Sequence, residues 1–421
     1  MIKFLDTRNK NYKRRLINFL EIRRSGKTID TTIVKKILND VKLNKKSALL
    51  KYEKKFSKNK SIKISDKQLK KAINLLDKKI KHSIDLAYSR IFKFHKKQKK
   101  KDIFYKDAYN NKLSYKYKPL QSVGIYVPAN LPSTLLMNAI PAKIAGVKKI
   151  VLANPKLNGN LNPAVLYAAK KLGIKEIYSM GGAQAIASLA FIQKVNKIVG
   201  PGNIYVAKAK QELFGQVGIE AMTAGPSEIT VLAEKKTDIE EVLTSMIGQA
   251  EHDENSQCIL ISKDKNLIKD FQKKIKNRIK NLPRKSVILK SLRNNGLTIL
   301  AKNNKDITSS INEIAPEHLE MNIAKPNKIL NKIYNVGSVC IGKYSPMAVT
   351  DYNAGTNHVL PTLGSAKFSS GLNVNEFYKK ISYIKLSKKG VEKIGESATY
   401  LAEYEKLHGH ALSIRSRMRR K

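Results

Sequence analysis

The chain has no tryptophan and only two cysteines among its 421 residues. Two cysteines cannot supply the disulfide framework of a small secreted domain, and alone they cannot form a structural zinc site. Cys258 lies in SQCILIS and Cys340 in GSVCIGK, both β-branched apolar runs. We therefore expect two cysteines buried in strands and no disulfide framework.

Long apolar runs are also missing. No run approaches the roughly 20 apolar residues of a membrane span, and the opening MIKFLDTRNKNYKRRL has no apolar stretch typical of a signal peptide. We expect a cytoplasmic protein with no membrane partner. Hydrophobic residues make up 42% and charged residues 27%, which excludes wholesale disorder and indicates a globular chain. Since single cores stop growing at roughly 250 to 300 residues, two or more domains are expected.

Acidic residues are scarce: 33 Asp and Glu stand against 81 Lys and Arg, a net charge of +48. Such an excess raises nucleic acid as a partner. The lysines are, however, spread along the chain, and the densest cluster, HKKQKKKD over 95–102, is more typical of a solvated helix end. We therefore expect nucleic-acid binding to be non-specific if it occurs at all, and keep a basic nucleic-acid-binding protein as the less favoured alternative.

The apolar pattern changes near residue 116. Before it, apolar residues follow helical spacing, with Ser65 and Asp66 as candidate N-caps. After it, short β-branched runs ending in Gly or Pro alternate with helical segments, as in SVGIYVP, KKIVLANP, IKEIYSMGG and NKIVGPGN. This alternation predicts βαβ units and parallel sheets, and it resumes after GIEAMTAGPSEITVLA.

Together these patterns predict an α/β protein with two domains built on parallel sheets and small helical segments at both ends. The earlier helices are expected to pack on the second sheet, which makes the middle domain an insertion. We expect a helical arm over 1–25, a first α/β domain over 26–115 and 228–372, an inserted α/β domain over 116–227, and a small helical domain over 373–421.

The segment GQAEHDENSQ concentrates ligand-type side chains. Gln249 and His252 are three residues apart at the end of a predicted helix, so they project from one face and could bind one divalent cation such as zinc or manganese. Polar residues that cap the last turn would explain the same pattern. Asp253 and Glu254 are expected to lie in solvent.

Two later segments carry further candidates. In APEHLE, Glu317 and His318 supply a carboxylate and an imidazole for acid and base catalysis, although a surface turn would give the same pattern. In TDYNAGTNHVLPT, Asp351 is a candidate oxygen ligand and His358 a hydrogen-bonding partner to it; a simple Asx turn is the alternative.

In the middle domain, GGAQAIA and GPGN place glycines before helices, where free N–H groups can face a pyrophosphate. Neither G-x-G-x-x-G after the first strand nor a P-loop is present, so these loops suggest a nucleotide without establishing one.

Several motifs in one register resemble the histidinol dehydrogenase family, from about residue 26 to the C-terminus. They are GIYVP, GGAQAIA, KIVGPGN, AGPSE, QAEH, APEHL, DYNAGTNHVLPT, FSSGL and LHGH. The resemblance implies two incomplete Rossmann-like domains, a homodimer with a shared active site, and a four-electron oxidation of L-histidinol to L-histidine through an aldehyde with two NAD molecules. It also implies one zinc ion per subunit.

The resemblance assigns roles to particular residues. Glu317 and His318 would be the acid/base pair, and Glu405 and His410 would reach the neighbouring subunit's site. The implied zinc ligands are Gln249, His252, Asp351 and His410. The implied L-histidinol contacts are Ser227, Gln249, His252, His318, Asp351, Glu405 and His410, and the implied NAD contacts are Tyr126, Gln184 and Asn203.

Two departures from the family pattern lie in the domain expected to hold NAD. The loop GIYVPANLPSTLLMN lacks the double glycine usual after the Pro, and the connection at SLAFIQKVNKIV, following Phe191, is shortened. These departures leave a second enzyme hypothesis open, a related zinc and NAD dehydrogenase acting on another amino alcohol or a hydroxy-sulfonate.

Overall fold

The computed structural model describes residues 2–25, 31–59, 61–157, 159–220 and 225–418. The domain boundary predicted after residue 25 borders on residues 26–30, which lie outside the described part. Within the described ranges, no helix is both long and apolar enough to cross a membrane.

Sixteen helices are present in the described residues. They are α1 (Tyr12–Arg24), α2 (Thr31–Ser57), α3 (Asp66–Asn74), α4 (Lys78–Lys96), α5 (Pro132–Ala145), α6 (Pro163–Lys171), α7 (Gly182–Phe191), α8 (Ile204–Leu213), α9 (Ile239–Ala250), α10 (Lys265–Ile279), α11 (Lys285–Asn295), α12 (Asn304–Ile314), α13 (Asn327–Leu330), α14 (Met347–Thr350), α15 (Lys388–Tyr404) and α16 (His408–Met418).

Fourteen strands accompany them in the same part of the chain. They are β1 (Lys3–Asp6), β2 (Ile103–Lys106), β3 (Lys112–Pro119), β4 (Ser122–Tyr126), β5 (Lys149–Ala153), β6 (Glu176–Tyr178), β7 (Lys197–Val199), β8 (Gly218–Ile219), β9 (Glu228–Ala233), β10 (Gln257–Ser262), β11 (Gly296–Leu300), β12 (His318–Asn322), β13 (Ser338–Ile341) and β14 (Tyr378–Lys385).

The middle of the chain forms a five-stranded parallel sheet in the order β6-β5-β4-β7-β8. The four β-branched runs predicted as strands are β4 to β7, and β4 is buried along its whole length. Because β5 and β7 lie on opposite sides of β4, the sheet has a switch point between β4 and β7, where α/β proteins usually bind ligands.

The second sheet has six parallel strands in the order β1-β11-β10-β9-β12-β13. The predicted α/β class with two parallel sheets is therefore confirmed. Cys258 and Cys340 are buried on β10 and β13 as expected, and both are free.

The N-terminal segment differs from the expected helical arm. Residues Lys3–Asp6 form β1, which pairs in parallel with β11 at the sheet edge, and only α1 is helical. In KFLD the single buried residue is Leu5, so the four-residue strand shows no alternation that could distinguish it from a helix.

The helices α2, α3 and α4 do not pack on the second sheet as expected. Val34 and Ile37 of α2 share a core with Met180 and Ile186 of the five-stranded half, and α4 packs on α5. An amphipathic pattern predicts that a helix buries one face but not which sheet receives it. Ser65 does cap α3, where it forms a capping box with Gln68. The domain boundaries stay a prediction.

A third sheet, antiparallel in the order β14-β3-β2, was not predicted. Its strands are mostly exposed and lysine-rich, so they lack the buried alternating face that signals a strand. The C-terminal segment, expected to be helical, contains the strand β14 near its start. Its helices α15 and α16 then pack on each other.

Candidate active site

Most candidate catalytic and metal residues meet at one edge of the six-stranded sheet. Glu228 is the first residue of β9 and His318 the first residue of β12, and His318 pairs in register with Ile229. This edge carries the amino ends of the strands, opposite to the carboxyl ends where open α/β sheets usually bind ligands. The site therefore depends on the loops and helix ends gathered there.

His318 is buried, and its two ring nitrogens have different surroundings. Nδ1 lies 3.2 Å from the backbone oxygen of Glu228, and because a carbonyl only accepts, the ring proton belongs on Nδ1. Nε2 is buried without a hydrogen-bond partner in the described part of the chain. Burial lowers the pKa of His318 to about 4. The imidazole is thus neutral near pH 7, with Nε2 available as a proton acceptor.

Glu317 is a buried carboxyl beside this imidazole. Its Oε2 accepts a hydrogen bond from the Glu228 amide at 2.8 Å and lies 3.7 Å from His318 Nδ1. Burial raises the pKa of Glu317 well above its ordinary value, and the negative charges of Glu228 and Asp351 act in the same direction. A carboxyl in such surroundings is suited to acid and base work at a higher pH than an exposed glutamate.

Asp351 follows α14 and faces two of the histidines. Its Oδ1 lies 3.9 Å from His318 Nε2, and its Oδ2 lies 3.9 Å from His252 Nε2. His358 is hydrogen-bonded through Nδ1 to the backbone oxygen of Asp351 at 2.7 Å, in agreement with its predicted supporting role. Burial raises the pKa of Asp351 to about 7.

Gln249 lies in the last turn of α9, which packs on α14 just before Asp351. The side chain is buried, and in the described part of the chain neither its Oε1 nor its Nε2 has a hydrogen-bond partner. A buried amide without partners is costly, so this orphaned group indicates a ligand position. With His252 and Asp351 it offers the oxygen and nitrogen donors that suit zinc.

The candidate metal ligands do not form a complete set within the described chain. No group of three or more His, Cys, Asp or Glu residues that could hold a metal occurs among the described residues. Glu405 and His410 lie on the exposed C-terminal helices, and neither makes a hydrogen bond or ion pair with the site in the described structure. Ser227, by contrast, directly precedes Glu228 at the site edge.

Sequence reasoning missed the two residues that hold the acid/base pair. The Glu228 carboxylate accepts the Glu317 amide at 3.2 Å and the Leu363 amide at 2.8 Å, and it forms a buried ion pair with Arg23 of α1. Arg23 also donates to the backbone oxygens of Pro226 at 2.6 Å and Asn255 at 3.1 Å. AGPSE pointed to Glu228 as a motif member; nothing distinguished Arg23 from its basic neighbours.

The three predicted cofactor contacts lie at the carboxyl edge of the five-stranded sheet. Tyr126 ends β4, Gln184 lies in the first turn of α7 after β6, and Asn203 follows β7, so Tyr126 and Asn203 flank the switch point. Asn203 caps α8, accepting from the amides of Tyr205 and Val206 at 3.1 Å each. The position of all three residues fits a nucleotide site.

The first glycine of GPGN, Gly200, lies where two loops approach each other closely. Gly200 has φ of +108°, and a Cβ there would lie 2.0 Å from the backbone oxygen of Tyr126. Only glycine tolerates both conditions. The loop after β7 is therefore packed directly on the end of β4.

The Asp351 loop is attached to the five-stranded half of the molecule. Arg90 of α4 donates to the backbone oxygens of Asn353 and Ala354, and Asn357 donates to the backbone oxygen of Met137 at 2.7 Å. These bonds connect the segment carrying Asp351 to the part of the fold that carries Tyr126.

The comparisons with known proteins agree with this arrangement. The family model described as histidinol dehydrogenase matches residues 22–418. The histidinol dehydrogenase of Pelagibacter ubique is 55% identical, with 100% of both chains covered, and that of Acinetobacter baylyi is 40% identical, covering 99% of this chain and 100% of its own. The crystal structure of histidinol dehydrogenase from Elizabethkingia anophelis superposes with a TM-score of 0.93 at 36% identity, covering 99% of this chain and 98% of its own. The chain therefore belongs to the histidinol dehydrogenase family.

Proposed function

We propose that this chain oxidises L-histidinol to L-histidine with NAD as electron acceptor, the final steps of histidine biosynthesis. The observation that carries the proposal is the buried Nε2 of His318, which has no hydrogen-bond partner among the described residues, beside the buried carboxyl of Glu317, in a chain of this family.

His318 and Glu317 accept different protons in the proposed reaction. His318 Nε2 takes the proton of the substrate hydroxyl in the first oxidation, because Nδ1 is committed to the Glu228 carbonyl. Glu317 takes a proton from the water that adds to the aldehyde. His318, once it has released its first proton to solvent, takes the hydroxyl proton of the resulting diol. NAD, at the edge formed by Tyr126, Gln184 and Asn203, would accept one hydride in each oxidation.

The substrate would be held by residues from more than one part of the fold. Gln249, His252 and Asp351, with the partner subunit's His410, would hold a zinc ion that positions the substrate. Ser227, which directly precedes Glu228, and the partner subunit's Glu405 would complete the contacts. The Gln249 amide, which has no hydrogen-bond partner within the described ranges, and the exposure of α16 both support a shared site in a homodimer.

The proposal is tested by counting NADH formed per L-histidinol consumed, with NAD and zinc present. Two NADH per substrate are expected. The rate should fall at least about a hundredfold for Glu317→Gln and for His318→Asn, since general acid–base groups contribute roughly 10² to 10⁴. His82→Asn, which changes an exposed histidine of α4, is the matched control. No NADH from folded, zinc-loaded protein would refute the substrate or the cofactor.

A further inference from the structure

A buried carboxylate lies directly beneath the proposed cofactor edge. Glu53 of α2 is only 1% exposed, and no role was assigned to it from the sequence. Its Oε1 accepts two hydrogen bonds, from the Gly181 amide and from Gln184 Nε2, each at 2.9 Å. One of these donors is the side chain proposed to contact NAD.

This contact fixes the orientation of the Gln184 amide. An ionised carboxylate only accepts hydrogen bonds, so the NH₂ group must face Glu53 and the carbonyl Oε1 must face away from it. Oε1 lies over Gly182, where an added Cβ would be 2.8 Å away and where φ is +64°. The side chain therefore presents an acceptor, and Gly182 provides the space for it.

The same carboxylate changes what the start of α7 can bind. A helix N-terminus normally attracts anions through free N–H groups. Here the Gly181 N–H is bonded to Glu53, and the Gly182 N–H is directed at the Tyr126 hydroxyl. A negative charge under this loop opposes a phosphate, which differs from the expectation that GGAQAIA faces a pyrophosphate.

We propose that Glu53 is a positioning residue of the cofactor site, which holds Gln184 so that it recognises a hydrogen-bond donor of the dinucleotide, a hydroxyl or an amide N–H, and not a phosphate oxygen. The inference rests on the proposed NAD site. It specifies the direction of one hydrogen bond in that site and the residue that sets it.

The test measures the Kd of NADH by its fluorescence in the zinc-loaded protein, with Glu53→Gln as the near-isosteric variant. The amide introduced at position 53 can donate as well as accept, so Gln184 is free to reverse. We therefore expect NADH binding to weaken about tenfold, the loss of one charge-assisted hydrogen bond. The KM for L-histidinol should stay unchanged. Inhibition by inorganic pyrophosphate against NAD should strengthen, since the opposing charge is removed.

A reversed pair provides the second variant. Gln184→Glu alone places two carboxylates together and should weaken NADH binding more than Glu53→Gln does. The double variant E53Q/Q184E restores one donor and one acceptor between positions 53 and 184 but gives up the Gly181 bond, since Gly181 and Gln184 donate to the same Glu53 Oε1. The Kd of NADH should therefore recover in part, to a value below that of Gln184→Glu alone. Additive losses of NADH affinity would indicate that the two side chains do not act as a pair. Because the pair remains bonded, this variant also serves if Glu53→Gln misfolds.

The outcomes separate the two proposals. If folded Glu53→Gln binds NADH with wild-type affinity, the role of Glu53 is overturned and the proposed function stays intact. Equal losses of affinity for NADH and L-histidinol would indicate a general structural defect and would overturn that role as well. If wild-type protein neither binds NADH nor reduces NAD with L-histidinol, the proposed function itself fails and this inference with it.

Discussion

Replacing Arg23 with methionine should destabilise the chain through a residue 205 positions away in sequence, Glu228. The side chains of Arg23 and Glu228 are 6% and 2% exposed. Methionine fills a similar volume but leaves the carboxylate buried with, among the described residues, only the amides of Leu363 and Glu317 as donors. Breaking a buried pair from one side typically costs about 3 to 5 kcal/mol.

We expect a loss of that size in the free energy of unfolding, measured by urea denaturation. The single amide oxygen introduced in the double variant R23M/E228Q keeps one of the two backbone bonds, since the Leu363 amide donates to Oε1 and the Glu317 amide to Oε2 of Glu228, and the variant carries no unpaired charge. It should therefore be more stable than Arg23→Met alone, with a coupling energy of about 2 kcal/mol or more in the mutant cycle. Arg24→Met, which removes the adjacent arginine of α1 and its bonds to the carbonyls of Glu313 and Ile314, is the neighbouring control.

The same change should alter the pH dependence of catalysis. The positive charge of Arg23 opposes the upward shift of the Glu317 pKa, so its loss raises that pKa further. A base with a raised pKa is protonated over a wider acidic range, and the acid limb of the kcat profile should move to higher pH. Additive losses of unfolding free energy in the mutant cycle, or an acid limb of the kcat profile that does not move, would refute this account of the Arg23–Glu228 pair.

Three further predictions follow from buried groups. Gly200→Ala places a Cβ against the Tyr126 carbonyl and should raise the Kd of NADH at least about tenfold. The zinc content, measured by atomic absorption, should stay at the wild-type level. Retained NADH affinity would contradict the required close approach. Gln249→Met removes a buried amide that has no partner in the described structure, so the metal-free variant should be about 1 to 3 kcal/mol more stable than metal-free wild type, yet gain less from added zinc in thermal melts; equal gains would exclude Gln249 as a ligand. The pKa of His95 is lowered from 6.5 chiefly by burial, so the unfolded chain binds a proton that the folded chain does not, and stability falls as pH drops below about 6.5. Urea midpoints at about pH 7 and about pH 5, on either side of that value, should differ less in His95→Gln than in wild type, and parallel curves would assign the effect to other groups.

Local patterns in the sequence were sufficient to predict most strands of the two parallel sheets. Runs such as KKIVLANP combine β-branched residues with a closing Gly or Pro, and these features act over a few residues. The same holds for Ser65, whose capping bonds reach only to Gln68. Weakly patterned strands, such as β1 with its one buried residue and the lysine-rich β3 and β14, gave no such signal.

Part of the candidate site could be predicted from the sequence for a different reason. Gln249 and His252 share a helix end, and Glu317 and His318 are adjacent, so their chemistry could be proposed from spacing and from the family resemblance. The sequence could not give the Nδ1 tautomer of His318, which depends on the Glu228 carbonyl.

The sequence by itself determined the α/β class, most strands of the two parallel sheets and the residue types available for chemistry, because hydrophobic periodicity and turn chemistry are local. Only the tertiary structure decided which sheet received α2, that Arg23 pairs with Glu228, and that Glu53 lies under Gln184, 131 residues away. Each of these depends on burial between distant segments. A buried charge is tolerated only where folding brings it a partner, and no pattern within either segment specifies that partner.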